Sequence, residues 1–417
     1  MAESVARRNS LKMFSAISEW IPRKDSPMEQ ASPAPHLVKG LHQIVNDLKQ
    51  TPETVHSGLS GVVCGETELI GFHHGCVEYC GIDIGDLCPD GFFESVIWLL
   101  LKGIPADSEE LADISTILAE SAVVDQPVSE TIATVPLQTR PLDIFPLSIA
   151  LLSCFDPTPG DRSLEASRSQ FWRVMAQLPV LLHVAFGGHL KDGRALSDDE
   201  TKTLSYAGRL LRILRDDNGE PSPAEEQAMN TVMTCQCLTE MRPACFSARF
   251  FGSAVNDIVA ALKAASSMFV SQLRNDPFAW SSSRLKSFKS PDHADHWWKT
   301  RQPKAMPFGF RRDGEQDPRV AILQRQSREL LGSLDSIVME SSATRLESLL
   351  AREGLFPTVD WAAARTLTLL NVPEDRISLA IGIARMVGWA AQTIEQHTSR
   401  IQLLPSLRYA GDAPEVT

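Results

Sequence analysis

Apolar side chains recur at helical spacing through most of the second half of this chain. In 164–275, Phe171, Val174, Met175, Leu178, Val180 and Leu181 mark one segment, and Leu204, Leu210, Leu211 and Leu214 the next. The loop Asn218-Gly219-Glu220-Pro221-Ser222-Pro223 parts the latter from a helix expected to begin near Ala224. The same period returns from Val320 to about Arg352, at 361–370 and at 376–396. Long β-rich runs are almost absent, so helices must bury their apolar stripes against other helices. The fold class expected is all-α. At 417 residues the chain exceeds one simple core, which implies two domains or one large helical body.

The remaining stretches read differently. Residues 1–35 mix charge with Ser and Pro, as in Ala31-Ser32-Pro33-Ala34-Pro35, and are expected to form a mobile arm. From Gly58 to Thr67 and from Gly81 to Leu87 the pattern is one of short strands and turns. A helix begins at Glu94 and runs to Lys102, where Gly103-Ile104-Pro105 stops it. Residues 275–304 carry Asp276-Pro277, Ser290-Pro291 and Trp297-Trp298, and are expected to be loop with aromatic anchors. The tail from Pro405 is irregular.

Composition sets limits on partners. Hydrophobic residues at 43% and charged residues at 22% describe an ordinary globular protein. With 40 basic and 52 acidic residues the net charge is -12, so there is no basic footprint for nucleic acid. An anionic substrate would need a local group of arginines against that field. No apolar run approaches the roughly 18 residues of a membrane span. The basic N-terminus lacks the apolar core of a secretory signal, and Glu3, Glu19 and Asp25 count against a transit peptide. Eight cysteines without secretory features suggest reduced thiols and a cytoplasmic location.

Three motifs near the end carry a resemblance. Asp317-Pro318-Arg319, Phe356-Pro357-Thr358-Val359-Asp360-Trp361 and Ile383-Ala384-Arg385-Met386-Val387-Gly388-Trp389 occur in order. They are similar to the C-terminal signature of the citrate synthase family. Gly58–Leu87 followed by Glu94–Lys102, with Arg140-Pro141-Leu142-Asp143 and Cys154-Phe155-Asp156-Pro157, resembles its N-terminal signature. The resemblance spans 57–157 and 305–411, extends more loosely over 225–275, and leaves 1–50 and 275–304 unmatched. It implies a two-domain helical subunit: a large domain from 36–274 and 372–417, with a small domain inserted at 275–371. It also implies a two-fold dimer, because sites in the family borrow residues across the interface.

Condensing an acyl-CoA with an oxo-acid requires a carboxylate to take a proton from a very weak carbon acid. It also requires donors where charge develops on oxygen. The resemblance assigns the base to Asp360 and the arginines that hold the oxo-acid carboxylates to Arg319 and Arg385, whose planar forks suit bidentate pairing. The family's histidines have no counterparts. In Gln236-Cys237-Leu238-Thr239-Glu240-Met241-Arg242 the two histidine positions are Gln236 and Thr239. Counting without gaps, the enol-stabilising histidine becomes Arg274. In Pro307-Phe308-Gly309-Phe310-Arg311-Arg312 the remaining histidine position is Phe310, and the arginine lent by a neighbouring subunit is Leu404. Losing one oxyanion donor typically costs ~3–4 kcal/mol, so ordinary citrate synthesis is not expected.

Two roles are open to Arg274: a donor in a rebuilt site, or a surface or domain-interface ion pair. Asp360 is open as base or as cap of a helix starting at Trp361. Arg311 and Arg312 are the candidate nucleotide contacts for CoA, but Asp313-Gly314-Glu315 dilutes them, and weak or absent CoA affinity is expected. No resident cofactor is implied; a CoA thioester would be a substrate. Asp292-His293-Ala294-Asp295-His296 and His73-His74-Gly75-Cys76 with Cys80 and Cys88 lack metal-site spacing or register, so no metal site is assigned. Cys235, Cys237 and Cys245 are read as packing. The functional expectation is a citrate synthase-like protein with an altered acyl-CoA and 2-oxo-acid condensing site. The alternatives are an inactive paralogue that pairs with an active subunit as a heterodimer, and a binding module for small carboxylates or CoA esters. A homodimer, with neither nucleic acid nor membrane as partner, completes the expectation.

Overall fold

A computed structural model describes residues 58–407, apart from 74, 90–91, 198–202, 216–218, 240, 302–306 and 313–315. The expected arm at 1–35 and Glu240 lie outside the described residues. Val63–Ser406 forms one compact unit. Helices dominate it, as the apolar period requires. The exceptions are a three-stranded antiparallel meander, Ile70–His73, Cys76–Tyr79 and Ile82–Asp83, and a two-stranded ribbon pairing Phe310–Arg312 with Leu355–Pro357. In the ribbon Phe310 stands opposite Pro357 and Arg312 opposite Leu355.

The 26-residue helix Glu374–Ser399 is the axis of the larger core. Helices Pro223–Cys237, Pro243–Ala254 and Ile258–Gln272 pack around it. Small residues let them approach closely: a Cβ on Gly388 would overlap the Cys237 carbonyl. This corrects the expectation that no segment reaches span length. By length and mean hydropathy the axial helix passes, yet its apolar window is wholly buried inside the protein. Arg385, Ser378 and Gln392 interrupt any uninterrupted apolar run, and all three are buried.

A second, smaller core gathers Leu285, Phe288, Trp298, Phe310, Met339, Leu346, Leu350, Leu355 and Trp361. Here the structure overturns the loop expected at 275–304. Pro277–Ser287 and Pro291–Thr300 are helices, with Asp276 and Ser290 as N-caps accepting from the Ala279 and His293 amides. The Asp-Pro and Ser-Pro pairs read as loop punctuation are cap followed by proline at the first helical position, where its missing N–H costs nothing. The helix expected from Val320 to Arg352 is also two, Pro318–Glu329 and Leu334–Ala351, with Ser333 capping the second. The earlier stop at Gly103 stands as expected: it closes Phe93–Lys102 in the left-handed conformation, at φ 78°.

Candidate functional site

Asp360 sits in the first turn of the helix Val359–Leu369, buried to 5% exposure. It does not cap that helix. Thr358 occupies the N-cap position without a side-chain cap bond, and the helix begins two residues before the expected Trp361. Two guanidiniums draw the carboxylate away from the helix amides. Arg385 Nη2 donates to one oxygen at 2.7 Å and Arg242 Nη1 to the other at 2.9 Å.

Each partner has its own support. Arg385 stands on the axial helix and also donates to Gln236 Oε1 at 3.0 Å. The Gln236 amide nitrogen donates in turn to the Val359 carbonyl at 3.0 Å, tying the end of one helix to the start of the next. Arg385 Nε is buried without a hydrogen-bond partner among the described residues. Arg242 comes from the turn ahead of Pro243–Ala254, and 43% of its side chain is exposed. Arg319 lies deeper. Its fork is committed to both oxygens of Asp317, and Nη1 donates to the Leu238 carbonyl at 3.0 Å.

Charge follows from this geometry. Burial alone would raise the Asp360 carboxyl, but Arg385 and Arg242, with Arg319 behind them, hold it below the ordinary carboxylate range. Burial pushes the Arg385 guanidinium down to about 10, where it still carries its charge at neutral pH. For Arg319, burial opposes the charged form, but its bonds to Asp317 prevail and raise its pKa. Asp360 is therefore an ionised carboxylate, held by cations and correspondingly weak as a proton acceptor.

The positions left without imidazole are filled in three ways. Phe310 is buried, its ring 4.9 Å from that of Trp361. The turn before it docks on the Asp360 helix, because the Thr358 amide and hydroxyl both donate to the Gly309 carbonyl, at 2.7 and 3.0 Å. Thr239 is buried with its hydroxyl 3.6 Å from the Cys245 thiol. Arg274 is exposed just beyond the helix Ile258–Gln272, and its backbone carbonyl accepts from Arg140 at 3.2 Å. Among the described residues no histidine hydrogen-bonds to Asp360. Asp360 and Arg385 are thus paired, Arg319 reaches Asp360 through its charge alone, and Arg274 makes no hydrogen bond with any of them. Arg311 and Arg312 lie on the ribbon strand that leads away from Phe310, half-buried and exposed respectively.

Sequence reasoning missed Arg242. The available signal was its position three residues after Thr239, inside the altered histidine segment. Gln236 was seen only as a lost histidine, and it now bridges Arg385 to the Asp360 helix. The thiols nearby are poor nucleophiles: burial raises Cys235 and pushes Cys237 up to about 12. Asp295, on a helix and not in a loop, is paired with Arg345 at 2.7 Å. Among the described residues no three His, Cys, Asp or Glu side chains gather as metal ligands.

Comparisons with known proteins agree with this architecture. The family described as citrate synthase, C-terminal domain, matches residues 58–404. Citrate synthase 2 of Bacillus subtilis is 26% identical over 364 residues, covering 86% of this chain and 96% of its own. The 2-methylcitrate synthase 1 of Corynebacterium glutamicum is 24% identical over 369 residues, covering 86% and 95%. In structure, the chain resembles the citrate synthase of Thermoplasma acidophilum, solved as a ternary complex with carboxymethyl coenzyme A and oxaloacetate. The TM-score is 0.74 at 18% identity, covering 88% of this chain and 98% of that one. The citrate synthase of Pyrobaculum aerophilum gives 0.74 at 17% identity, covering 88% and 99%. With its family match extending over most of its length, its helical architecture and its Asp360–Arg385–Arg319 constellation, this chain belongs to the citrate synthase family.

Proposed function

We propose that this protein carries a rebuilt citrate synthase-type site. It takes a small 2-oxo acid at Arg385 and condenses it with an acyl-CoA, with Asp360 as the base. The relatives named for citrate and methylcitrate synthesis support a short acyl thioester as the partner substrate. The observation that carries the reading is the Asp360 carboxylate shared by Arg385 and Arg242, where imidazoles are expected. A carboxylate and two guanidiniums can hold an anionic substrate and supply a base. Arg319, with its donors committed to protein groups, contributes its field and not a free fork. Arg274 serves the surface in this reading, and Arg311 and Arg312 are offered to the CoA nucleotide. We assign the small domain to 275–371, around the second core, within a cytoplasmic homodimer.

The alternative, an inactive paralogue acting as a regulatory or binding subunit, is favoured by one observation: both Asp360 oxygens are already occupied, so the base is silent until something displaces its partners. Purified protein incubated with 2-oxo acids and a panel of acyl-CoAs decides between them. Release of free thiol that disappears in Asp360→Asn supports the enzyme. No release from any pair, together with a mixed dimer on co-expression with an active relative, supports the regulatory subunit.

A further inference from the structure

We infer that Tyr79 is a positioning residue of the candidate site. With Arg319 it caps the C-terminus of the helix Pro223–Cys237, and so fixes the point from which Gln236 and Arg242 reach Arg385 and Asp360. The inference rests on the rebuilt-site reading for what the site does, and adds to it a residue outside the site that holds its geometry.

A helix leaves its last four carbonyls without intrahelical donors. This helix ends without a local remedy. Its last turn carries no basic residue, and Leu238 follows it in extended conformation, at φ −131° and ψ 133°. The donors come from far along the chain. The Tyr79 hydroxyl, on the strand Cys76–Tyr79, donates to the Thr234 carbonyl at 3.0 Å and lies 3.4 Å from that of Leu238. Arg319 Nη1 donates to the same Leu238 carbonyl at 3.0 Å and to that of Cys235 at 3.4 Å. Its positive charge thereby stands at the negative end of the helix dipole. The ring of Phe72, on the neighbouring strand, lies 5.6 Å from the same guanidinium.

Tyr79 is wholly buried, and burial holds its phenol well above the usual range, so it remains a neutral donor. The opposite side of the helix end is as firmly placed. A Cβ on Gly388 would overlap the Cys237 carbonyl, and Gly388 lies on the axial helix one turn beyond Arg385. Between these two supports, Gln236 bonds to Arg385 and to the Val359 carbonyl. Arg242 then leaves the same segment to meet Asp360. A shift of the helix end carries both contacts with it.

Tyr79→Phe deletes one buried hydroxyl and keeps the ring. A double-mutant cycle with Asp360→Asn, read by chemical denaturation of the full-length protein, tests whether that hydroxyl acts through the site. Tyr79→Phe is expected to lower the folding constant of wild type about tenfold, the worth of a buried hydrogen bond. In the Asp360→Asn background the loss should be about threefold or less, because the contacts being positioned are already broken there. Equal losses in the two backgrounds overturn the positioning role and leave the hydroxyl a support of the strand alone. Free-thiol release from acyl-CoA and 2-oxo acid gives a second readout. Tyr79→Phe should lower kcat about tenfold or more with KM changed by less than about twofold, since misplaced groups slow the reaction more than they weaken binding. An unchanged kcat overturns the inference. No thiol release by wild type from any substrate pair overturns the rebuilt-site reading instead, and the cycle then decides the role of Tyr79 by itself.

Discussion

The helix Val359–Leu369 carries two buried ion networks, one built on Asp360 and one on Arg365, and they are finished to different degrees. Arg365 is 1% exposed and fully bonded. Nε and Nη2 donate to the two oxygens of Glu340, Nη2 also reaches Thr344, and Nη1 donates to Glu347 at 2.6 Å. Glu347 is further held by Trp361 Nε1 and Gln324 Nε2, at 2.7 and 2.9 Å. At Asp360, by contrast, one cation is exposed, a buried Arg385 nitrogen is unpartnered, and among the described residues two guanidiniums share one carboxylate. A network with every group satisfied serves packing and register. A network with a donor to spare, and open to water on one side, has the makings of a binding site. The difference separates a closed ion network from an open one anchored on the same helix without appeal to conservation.

The closed network gives the largest expected effect. Arg365→Met removes the one cation paired with Glu340 and Glu347 among the described residues, leaving buried Glu340 without a counter-charge and Glu347 with its bonds from Trp361 and Gln324 alone. The expected loss is about 3–5 kcal/mol in chemical denaturation. A loss below 1 kcal/mol would mean that those glutamates find water or other partners, and the contrast drawn here would fail.

Asp360→Asn attacks the open network and is expected to cost about 3 kcal/mol, because Arg385 stays buried without its counter-charge while Arg242 relaxes into solvent. Two features separate it from Arg365→Met. First, millimolar citrate should raise the melting temperature of Asp360→Asn more than that of Arg365→Met, since removing the competing carboxylate leaves both guanidiniums to an added anion. Second, the pH response differs. The Asp360 carboxyl is held below the ordinary range, so its contribution is complete above an unfolded value of about 3.9 and is lost as pH falls through the folded one. The asparagine variant should therefore lose less stability than wild type on acidification below about pH 4. Equal acid losses in the two proteins would argue that Asp360 is not charged when folded.

A middle-sized effect is expected at Gly309. Its φ is +79°, and a Cβ there would lie 2.7 Å from that of Trp361. Gly309→Ala should cost about 1–3 kcal/mol through backbone strain and overlap. It should also loosen the turn that seats Phe310 against Trp361, which a shift in tryptophan fluorescence would report.

Much of this could be read from residues in order. Helical period located the core, and Asp317-Pro318-Arg319, Asp360 and Arg385 pointed to the candidate site through the spacing of their motifs. What could not be read is where side chains point. Asp360 followed by Trp361 has the letters of a cap, and only the coordinates show it turned toward two arginines. Asp276-Pro277 and Ser290-Pro291 open helices or loops equally well, and the choice falls to tertiary packing, of Phe278 in the larger core and of Leu285 and Trp298 in the second. Arg242 was given no role in the sequence, where it closes the altered histidine segment just before a proline. Its partner lies 118 positions away.

The exposure of the Arg242 side chain makes Arg242→Gln the smallest of these effects on stability and the sharpest test of the comparison. Its ion pair with Asp360 is half in water, where such pairs contribute about 0–1 kcal/mol. Asp360 keeps Arg385 at 2.7 Å when Arg242 is gone, so no buried charge is stranded. Stability in denaturant should therefore change by less than about 1 kcal/mol. An arginine held for packing shows the opposite pattern, as Arg365 is expected to. If Arg242→Gln instead destabilised the protein by as much as Arg365→Met, the open network would be structural after all. A site for an anion would then have to be sought elsewhere in the molecule.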